Sequence, residues 1–299
     1  MSVAYDLAYN MLFHDKLTLK IGNFNVMSNI SSIFSKPAGQ FVHVEESKET
    51  ENEWKKRFQI TIDFIYNLDF DILAIQEATP DFYNMILDVL DENVYFFLYA
   101  EKENLLTIIK KYICVKEPLE NIITEKFPYS KLSSFQILTT SNISINIVNV
   151  HLNGDPAKHF ERIQILKTLA SPNTIIIGDF NESVTSLLND EVLRLFLIHN
   201  NFKLENQDDK MTSYSRYIIR GGNVLGLKPQ EEQWEAVDNV LYGSMFILID
   251  IQIFPENGLK GKQVPYLPLT HIPPYKYTRN FSNYGWSSDH TCNMYKILL

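Results

Sequence analysis

Hydrophobic and polar positions along the chain follow two spacings, one typical of strands and one typical of helices. Short runs that are wholly apolar or that alternate every second residue predict β-strands, and apolar residues three and four positions apart predict amphipathic helices. The predicted strands cover residues 19–26, 71–76, 105–115, 134–140, 143–152, 174–177, 237–242, 246–253 and 291–298. The predicted helices cover residues 54–68, 82–90, 160–169 and 184–198.

Strands and helices are interleaved along the whole chain, and no internal repeat or low-complexity linker divides it. This order indicates an α/β (α+β) sandwich, with sheets inside and helices outside. We therefore expect a single domain over residues 1–299, with residues 1–16 as an N-terminal extension. Residues 28–53 and 255–286 fit no regular element and predict two long loops, which in compact domains are usually functional or mobile.

Composition limits the classes of partner. The net charge is −9 with a sequence pI near 5.3, so no basic face for gripping long duplex nucleic acid is indicated. Clustered carboxylates of a metal site would account for part of this negative charge. The charge therefore argues against a broad duplex binder but not against an enzyme that holds a few phosphates.

The N-terminus has no basic leader followed by an apolar stretch, and no apolar run approaches the ~20 residues of a spanning helix. The two cysteines, Cys114 and Cys292, lack metal-type spacing and stand in apolar runs, which predicts buried free thiols in a reducing compartment. We expect an intracellular protein, cytoplasmic or nuclear, without a membrane span. The sequence does not indicate protein partners or an oligomeric state.

Polar residues concentrate where apolar runs stop. A carboxylate or imidazole beside an apolar strand costs stability unless it has a partner, so their repetition at strand ends predicts a shared polar cleft. These residues are Asn25, Glu77, His151, Asn153, Asp179, Asn181, Asp238, Asp289 and His290.

The residue types at these ends suit the hydrolysis of a phosphate ester. Carboxylate oxygens bind Mg²⁺ or Mn²⁺, which neutralises charge on a phosphate. A further carboxylate or an imidazole prepares the attacking water, and an amide can hold it. A carboxylate set against an imidazole fixes its tautomer and favours its charged form.

Six motifs in order resemble the signature of the DNase I-like endonuclease/exonuclease/phosphatase superfamily. They are GNFNV, IQEAT, NVHLNG, IGDFNES, VDNVLY and SSDH, and they extend from Asn25 to His290, nearly the whole chain. Each motif is weak alone, whereas six in order after apolar strands form a specific pattern. The resemblance implies a four-layer αββα sandwich of two mixed β-sheets flanked by helices, with the site at one rim of the sheets.

The resemblance also implies a Mg²⁺ or Mn²⁺ site. Glu77 would be the principal ligand, Asn25 would lie beside it, and Asp289 would be a further ligand. Many members of the superfamily carry an acidic residue where this chain has Met27, which favours one metal over two.

Five residues would carry the chemistry by the same resemblance. His290, oriented by Asp238, and His151 would contact the phosphate, Asp179 would activate or orient water, and Asn181 would hold water or transition-state oxygens. Whether His290 or Asp179 is the base stays open. Arg162, on the helix after the histidine motif, either supports the site or lies on a solvated face.

Three functions remain as alternatives. The first is a metal-dependent phosphodiesterase or nuclease acting on nucleic acid, with a single strand or short oligonucleotide favoured. The second is a phosphatase or diesterase acting on a small or lipid phosphate, and the third is an inert binding scaffold.

Two sequence features bear on the substrate. Asn153 stands where enzymes on tyrosyl-linked DNA and neutral sphingomyelinase-like proteins often have Glu, which weakens the case for those two substrates. Aromatic and basic residues in 255–286 and 214–220 could stack bases or pack among themselves.

Overall fold

The computed structural model describes residues 17–26, 51–121, 127, 130–205, 213–215, 217–220, 223–227, 233–235, 237–254, 290 and 292–299. The strands are β1 (Thr18–Asn25), β2 (Ile72–Gln76), β3 (Tyr95–Ala100), β4 (Leu105–Lys110), β5 (Leu119–Asn121), β6 (Lys131–Leu138), β7 (Ser144–His151), β8 (Thr174–Asp179), β9 (Lys203–Glu205), β10 (Ser213–Ser215), β11 (Tyr217–Arg220), β12 (Asn223–Leu227), β13 (Gln233–Glu235), β14 (Asp238–Tyr242), β15 (Ile247–Phe254) and β16 (Cys292–Leu298). The helices are α1 (Glu51–Tyr66), α2 (Pro80–Leu87), α3 (His159–Leu169), α4 (Val184–Asn189) and α5 (Glu191–Asn200). None of the helices in this described part of the chain has the length and apolar character of a membrane-spanning segment.

Two six-stranded mixed sheets form the centre of the molecule. Sheet I has the order β15-β16-β1-β2-β4-β3, and sheet II has the order β5-β6-β7-β8-β14-β9. In each sheet the central pair is parallel, β1 with β2 and β7 with β8, and every other pair is antiparallel. The two sheets therefore repeat one pattern of strand pairing in the same order.

Three apolar clusters define four layers. One lies between the sheets and joins Ile21 and Ile72 of sheet I to Ile147 and Ile175 of sheet II. A second covers the outer face of sheet I with α1 and α2, and a third covers the outer face of sheet II with α3, α4 and α5. The αββα sandwich predicted from the sequence is confirmed.

The surface between the sheets changes from apolar to polar along the strands. Side chains on one face of a strand recur every second residue, so each inward row can be followed in the sequence. The inward rows run from Ile21 to Asn23 and Asn25, from Ile72 to Ala74 and Gln76, from Ile147 to Asn149 and His151, from Ile175 to Ile177 and Asp179, and from Tyr242 to Val240 and Asp238. The polar ends of these rows collect at one rim of the sandwich.

The structure differs from the sequence-based prediction in several elements, and the short strands β5 and β9 to β13 are among those absent from the prediction. Strand β3 (YFFLYA), whose residues are all half-buried, is absent from the prediction although its apolar run is typical of a strand. Strand β4 ends at Lys110, where a 3₁₀ turn over Lys111–Ile113 replaces the predicted continuation to residue 115. The single helix predicted over 184–198 is two helices, because Asp190 ends α4 and accepts a hydrogen bond from the Leu193 amide as the N-cap of α5.

The predicted loops lie mostly outside the described residues. Helix α1 begins at Glu51, inside the predicted loop 28–53, and residues 28–50 and 255–286 are not described, nor are residues 1–16. Between β9 and β14 the chain forms two antiparallel ladders, β10 with β13 and β11 with β12. Both cysteines are free, Cys292 buried and Cys114 half-buried.

The Asp190 cap gives a test of the helix break. Asp190→Ala should lower the free energy of unfolding by about 1 kcal/mol, because the Leu193 amide loses its side-chain acceptor. Asp190→Asn keeps an acceptor oxygen and should retain most of that stability in denaturant titrations. Equal losses in the two variants would contradict a capping role.

Candidate active site at the rim of the two sheets

Six of the eight predicted site residues meet at the polar rim. Asn25 ends β1, Glu77 follows β2, His151 ends β7, Asp179 ends β8 and Asp238 begins β14. His290 joins them from the segment before β16. Asn181 lies in the loop after β8, two residues beyond Asp179. Asp289 lies outside the described residues.

Asp179 is the centre of this arrangement. It is 2% exposed, and its Oδ2 lies 3.7 Å from Nε2 of both His151 and His290. The same oxygen accepts a hydrogen bond from Asn25 Nδ2 at 3.1 Å, and Oδ1 accepts one from the Asn181 amide at 2.8 Å. A buried carboxylate thus faces two imidazoles while its remaining lone pairs are occupied by N–H donors, which offsets the cost of its burial.

Asn25 links the two sheets at the site. Its Nδ2 donates to Glu77 Oε1 at 3.2 Å and to Asp179 Oδ2 at 3.1 Å, so one amide holds a carboxylate from each sheet. Glu77 has φ 59°, a left-handed conformation that is uncommon for a residue with a side chain. Such conformations cost free energy and concentrate at functional sites.

Asp238 and His290 form a buried pair. His290 Nδ1 lies 2.9 Å from Asp238 Oδ2, and Asp238 is fully buried. Because a carboxylate only accepts hydrogen bonds, Nδ1 carries the hydrogen and Nε2 faces Asp179. The structure thus places His290 against Asp238, and the catalytic role of the pair stays a prediction.

Three residues that the sequence prediction missed surround Asp238. Asn23 Nδ2 donates to its Oδ1 at 3.2 Å, while Asn293 Nδ2 and the Tyr295 hydroxyl donate to its backbone oxygen at 3.0 and 3.3 Å. Burial raises the pKa of Tyr295 far above its usual range, so the phenol remains a donor. Asn23 could have been found, because it shares the inward face of β1 with Asn25 in the motif GNFNV.

His151 completes the site from sheet II. Its side chain is 19% exposed, with Nε2 directed to Asp179. Its Nδ1 is buried and has no hydrogen-bond partner among the described residues. His151 therefore differs from His290, whose second nitrogen is held by a carboxylate.

The loops after β7 and β8 contact each other beside the site. Asn181, with φ 51°, donates from Nδ2 to the Leu152 oxygen at 2.7 Å. Arg162 of α3 is 3% exposed and contacts both loops, so the alternative of a solvated helix face is wrong for this residue. Asn153 contributes its backbone oxygen as an acceptor for Arg162.

The chemistry of the donors fits a hard divalent cation. Glu77 is half-buried, and Asp289 adjoins His290 in the sequence. Mg²⁺ keeps several waters and commonly needs only one or two carboxylates. In the described part of the chain, no group of three or more His, Cys, Asp and Glu residues is arranged as a metal cage.

Comparison with solved structures shows the same architecture. An endonuclease/exonuclease/phosphatase family protein from Bacteroides thetaiotaomicron matches with a TM-score of 0.57 and 11% identity, over 95% of this chain and 98% of that chain. D. rerio TDP2 complexed with single strand DNA product matches with a TM-score of 0.57 and 11% identity, over 94% and 98%. A mannosyl-6-phosphatase from Bacteroides thetaiotaomicron matches with a TM-score of 0.57 and 11% identity, over 94% and 100%.

The chain has the endonuclease/exonuclease/phosphatase fold. This confirms the fold implied by the ordered motifs. No family model matches the sequence, and a search of curated proteins finds no match. Likeness at 11% identity extends to the fold alone.

The Asp238–His290 pair predicts a defined tautomer. Neutral His290 should carry its hydrogen on Nδ1, and Asp238→Asn should reduce this preference because an amide can donate to Nδ1. Ring ¹⁵N chemical shifts from NMR measure the tautomer directly. Asp250→Asn, an exposed change on β15, serves as the control. An unchanged tautomer in Asp238→Asn would show that the carboxylate does not set it.

Glu182, next to Asn181, predicts a pH dependence of stability. Burial alone would raise the pKa of Glu182, but hydrogen bonds from Ser186, His159 and Arg162 outweigh it and lower the pKa below its usual 4.5. Its stabilising effect is therefore complete above that value and is lost as the pH falls through the lower folded-state pKa. The difference in unfolding free energy between wild type and Glu182→Gln should shrink on that acid side. A difference that grows there would contradict the lowered pKa.

Proposed function

We propose that this chain is a divalent-metal-dependent phosphodiesterase that hydrolyses nucleic acid, with a single strand or short oligonucleotide as substrate. The observation that carries the proposal is the position of Asp179, whose Oδ2 is 3.7 Å from two imidazole nitrogens and 3.1 Å from the amide that also holds Glu77. A carboxylate between two imidazoles suits a water nucleophile beside an anionic phosphate.

We assign each residue of the site a role from its chemistry. Asp179 accepts a proton from the attacking water or orients that water, and its Oδ2 lies 3.7 Å from both imidazoles. His290 donates from Nε2 to a phosphate oxygen when protonated, and the Asp238 carboxylate orients the ring through Nδ1. His151 provides a second imidazole on the other side of Asp179. Negative charge that develops on the phosphate oxygens is therefore stabilised by hydrogen-bond donors that are already in position.

Glu77 and Asp289 are the residues that would hold Mg²⁺ or Mn²⁺. The metal would neutralise charge on the phosphate. Asn25 donates to Glu77 Oε1 and so fixes the orientation of that carboxylate relative to Asp179. The position of Met27 in place of an acidic residue supports a single metal.

The substrate class rests on sequence and fold. The solved structure of D. rerio TDP2 contains single strand DNA product, and we transfer this class of substrate to the present chain. The net charge of −9 disfavours a long duplex, which needs a basic face. Aromatic residues among basic ones in 255–286 could stack unpaired bases.

A phosphatase acting on a small phosphate is the second candidate. The mannosyl-6-phosphatase shares the fold at the same TM-score of 0.57 as D. rerio TDP2. The same carboxylates and imidazoles serve a phosphate monoester, because the chemistry at phosphorus is common to both substrates. An inert scaffold is the third candidate, and the close approach of Asp179 to both imidazoles counts against it.

Hydrolysis of a substrate panel tests the proposal. With Mg²⁺ or Mn²⁺, the protein should cleave single-stranded RNA or DNA faster than duplex, inositol phosphates or sugar phosphates, and EDTA should abolish cleavage. Glu77→Ala and Asp179→Asn should each reduce kcat by about 10²–10⁴-fold. Exposed Glu101→Ala and Asp250→Asn are matched controls that should retain activity.

The other outcomes of the panel are equally informative. Cleavage of sugar or inositol phosphates alone would replace the nucleic-acid proposal with the phosphatase. A folded protein that cleaves nothing would support the scaffold. Activity that persists undiminished in both site variants would contradict the mechanism.

A further inference from the structure

Two loops carry the site residues of sheet II outward from their strands. Residues 152–155 follow His151 at the end of β7, and residues 180–183 follow Asp179 at the end of β8. The Asn181 side chain donates to the backbone oxygen of Leu152 at 2.7 Å, and the Leu152 amide donates to the backbone oxygen of Asp179 at 2.8 Å. A Cβ on Gly154 would lie 3.0 Å from Asn181 Oδ1, so the two loops are in close contact.

One guanidinium joins these loops. Arg162 of α3 donates from Nε to Glu182 Oε2 at 2.7 Å. From Nη1 it donates to the backbone oxygens of Asn153 and, at 3.0 Å, Asp155. The Arg162 side chain is 4% exposed and that of Glu182 is 9% exposed, so solvent hardly competes for these bonds. The planar fork of arginine allows one side chain to hold both loops in a fixed relation.

Glu182 extends the connection to a third strand. Its Oε1 accepts from Ser186 Oγ at 2.6 Å and lies 2.7 Å from His159 Nδ1. Its backbone oxygen accepts from Asn239 Nδ2 at 2.8 Å, and Asn239 is the neighbour of Asp238 on β14. The three strands that bear His151, Asp179 and Asp238 therefore all connect to Glu182.

We propose that Arg162 and Glu182 are a positioning pair that fixes His151, Asp179 and Asp238 relative to one another. The pair is not directed at the cleft, since its side chains are occupied by the two loops and by α3 and α4. Its contribution to catalysis rests on the proposed function and acts through the position of the site residues. Misplacement of reacting groups by about 1 Å can cost about 10²-fold in rate.

Kinetics of Glu182→Gln and Arg162→Lys test the pair. Each variant should lower kcat by about 10- to 100-fold with little change in KM. Lysine should not substitute, because an ammonium lacks the fork that reaches both loops. The matched controls are Glu191→Gln and Arg194→Lys, the same exchanges at exposed positions of α5. A loss of thermal stability with unchanged kcat per folded molecule would show a merely structural role and overturn the proposal.

Hydrogen–deuterium exchange provides a readout that does not need activity. In both variants, backbone amides of 152–155 and 180–183 should exchange faster together, because one pair holds both loops. Acceleration confined to one loop would overturn the proposal. If wild type cleaves nothing on the substrate panel, the proposed function fails while the exchange experiment still decides whether the pair couples the loops.

A milder variant covers the case in which both substitutions prevent folding. His159→Ala removes one contact of Glu182 and leaves Arg162 in place, and His159 is 35% exposed. It should lower kcat in the same direction by a smaller factor and accelerate exchange in 180–183. The proposal is contradicted if both pair variants fail to fold and folded His159→Ala shows unchanged kcat and unchanged exchange. The pair would then contribute to stability alone.

Discussion

The burial of Asp179 and Asp238 between the sheets is the constraint on which the rim depends. A buried carboxylate is tolerated only when donors surround it. Asn25 and the Asn181 amide supply them for Asp179, while Asn23 and His290 supply them for Asp238. Two of these donors, Asn23 and Asn25, reach their carboxylates from β1 of the opposite sheet, while Asn181 and His290 reach them from segments outside the strands. The need to satisfy two charges therefore fixes how the strand ends meet.

The change from apolar to polar side chains along the interface between the sheets allows the strand ends to meet in this way. Near Ile21 and Ile147 the interface is a hydrophobic core that stabilises the sandwich without specific direction. Toward the rim the same inward rows carry Asn149 and Gln76, whose side chains hydrogen-bond at 2.8 Å. Hydrogen bonds are directional, so this polar layer sets the alignment of one sheet on the other, which the apolar core alone leaves free. The site is built on that layer.

Much of the fold was predictable because it follows from alternation. Strand ends that carry Asn25, His151 and Asp179 are visible as the points where apolar runs stop, and the motifs place them in order. The pairing of Asp238 with His290 was also predicted from the motifs, and their atoms lie 2.9 Å apart. Local pattern is sufficient to place a residue at the end of its own strand, and the shared motifs supplied the pairing across strands.

The missed features depend on contacts between distant parts of the chain. Strand β3 lies at the half-buried edge of sheet I, where its pairing with β4 and not a distinctive sequence pattern defines it. The burial of Arg162 could not be predicted, since its partners belong to two loops whose proximity is a tertiary fact. The support of Asp238 by Asn293 and Tyr295 likewise needs the pairing of β16 with β1.

The repeated pairing order of the two sheets has a mechanical consequence. In that order β1 and β2 of sheet I correspond to β7 and β8 of sheet II, so Asn25 corresponds to His151 and the end of β2 to Asp179. Glu77 and Asp179 thus stand at the ends of corresponding strands of the two sheets, and the side-chain amide of Asn25 donates to both carboxylates. Shear of one sheet against the other would change the carboxylate spacing directly. The packing of the apolar core between the sheets therefore also bears on the distance between these two carboxylates.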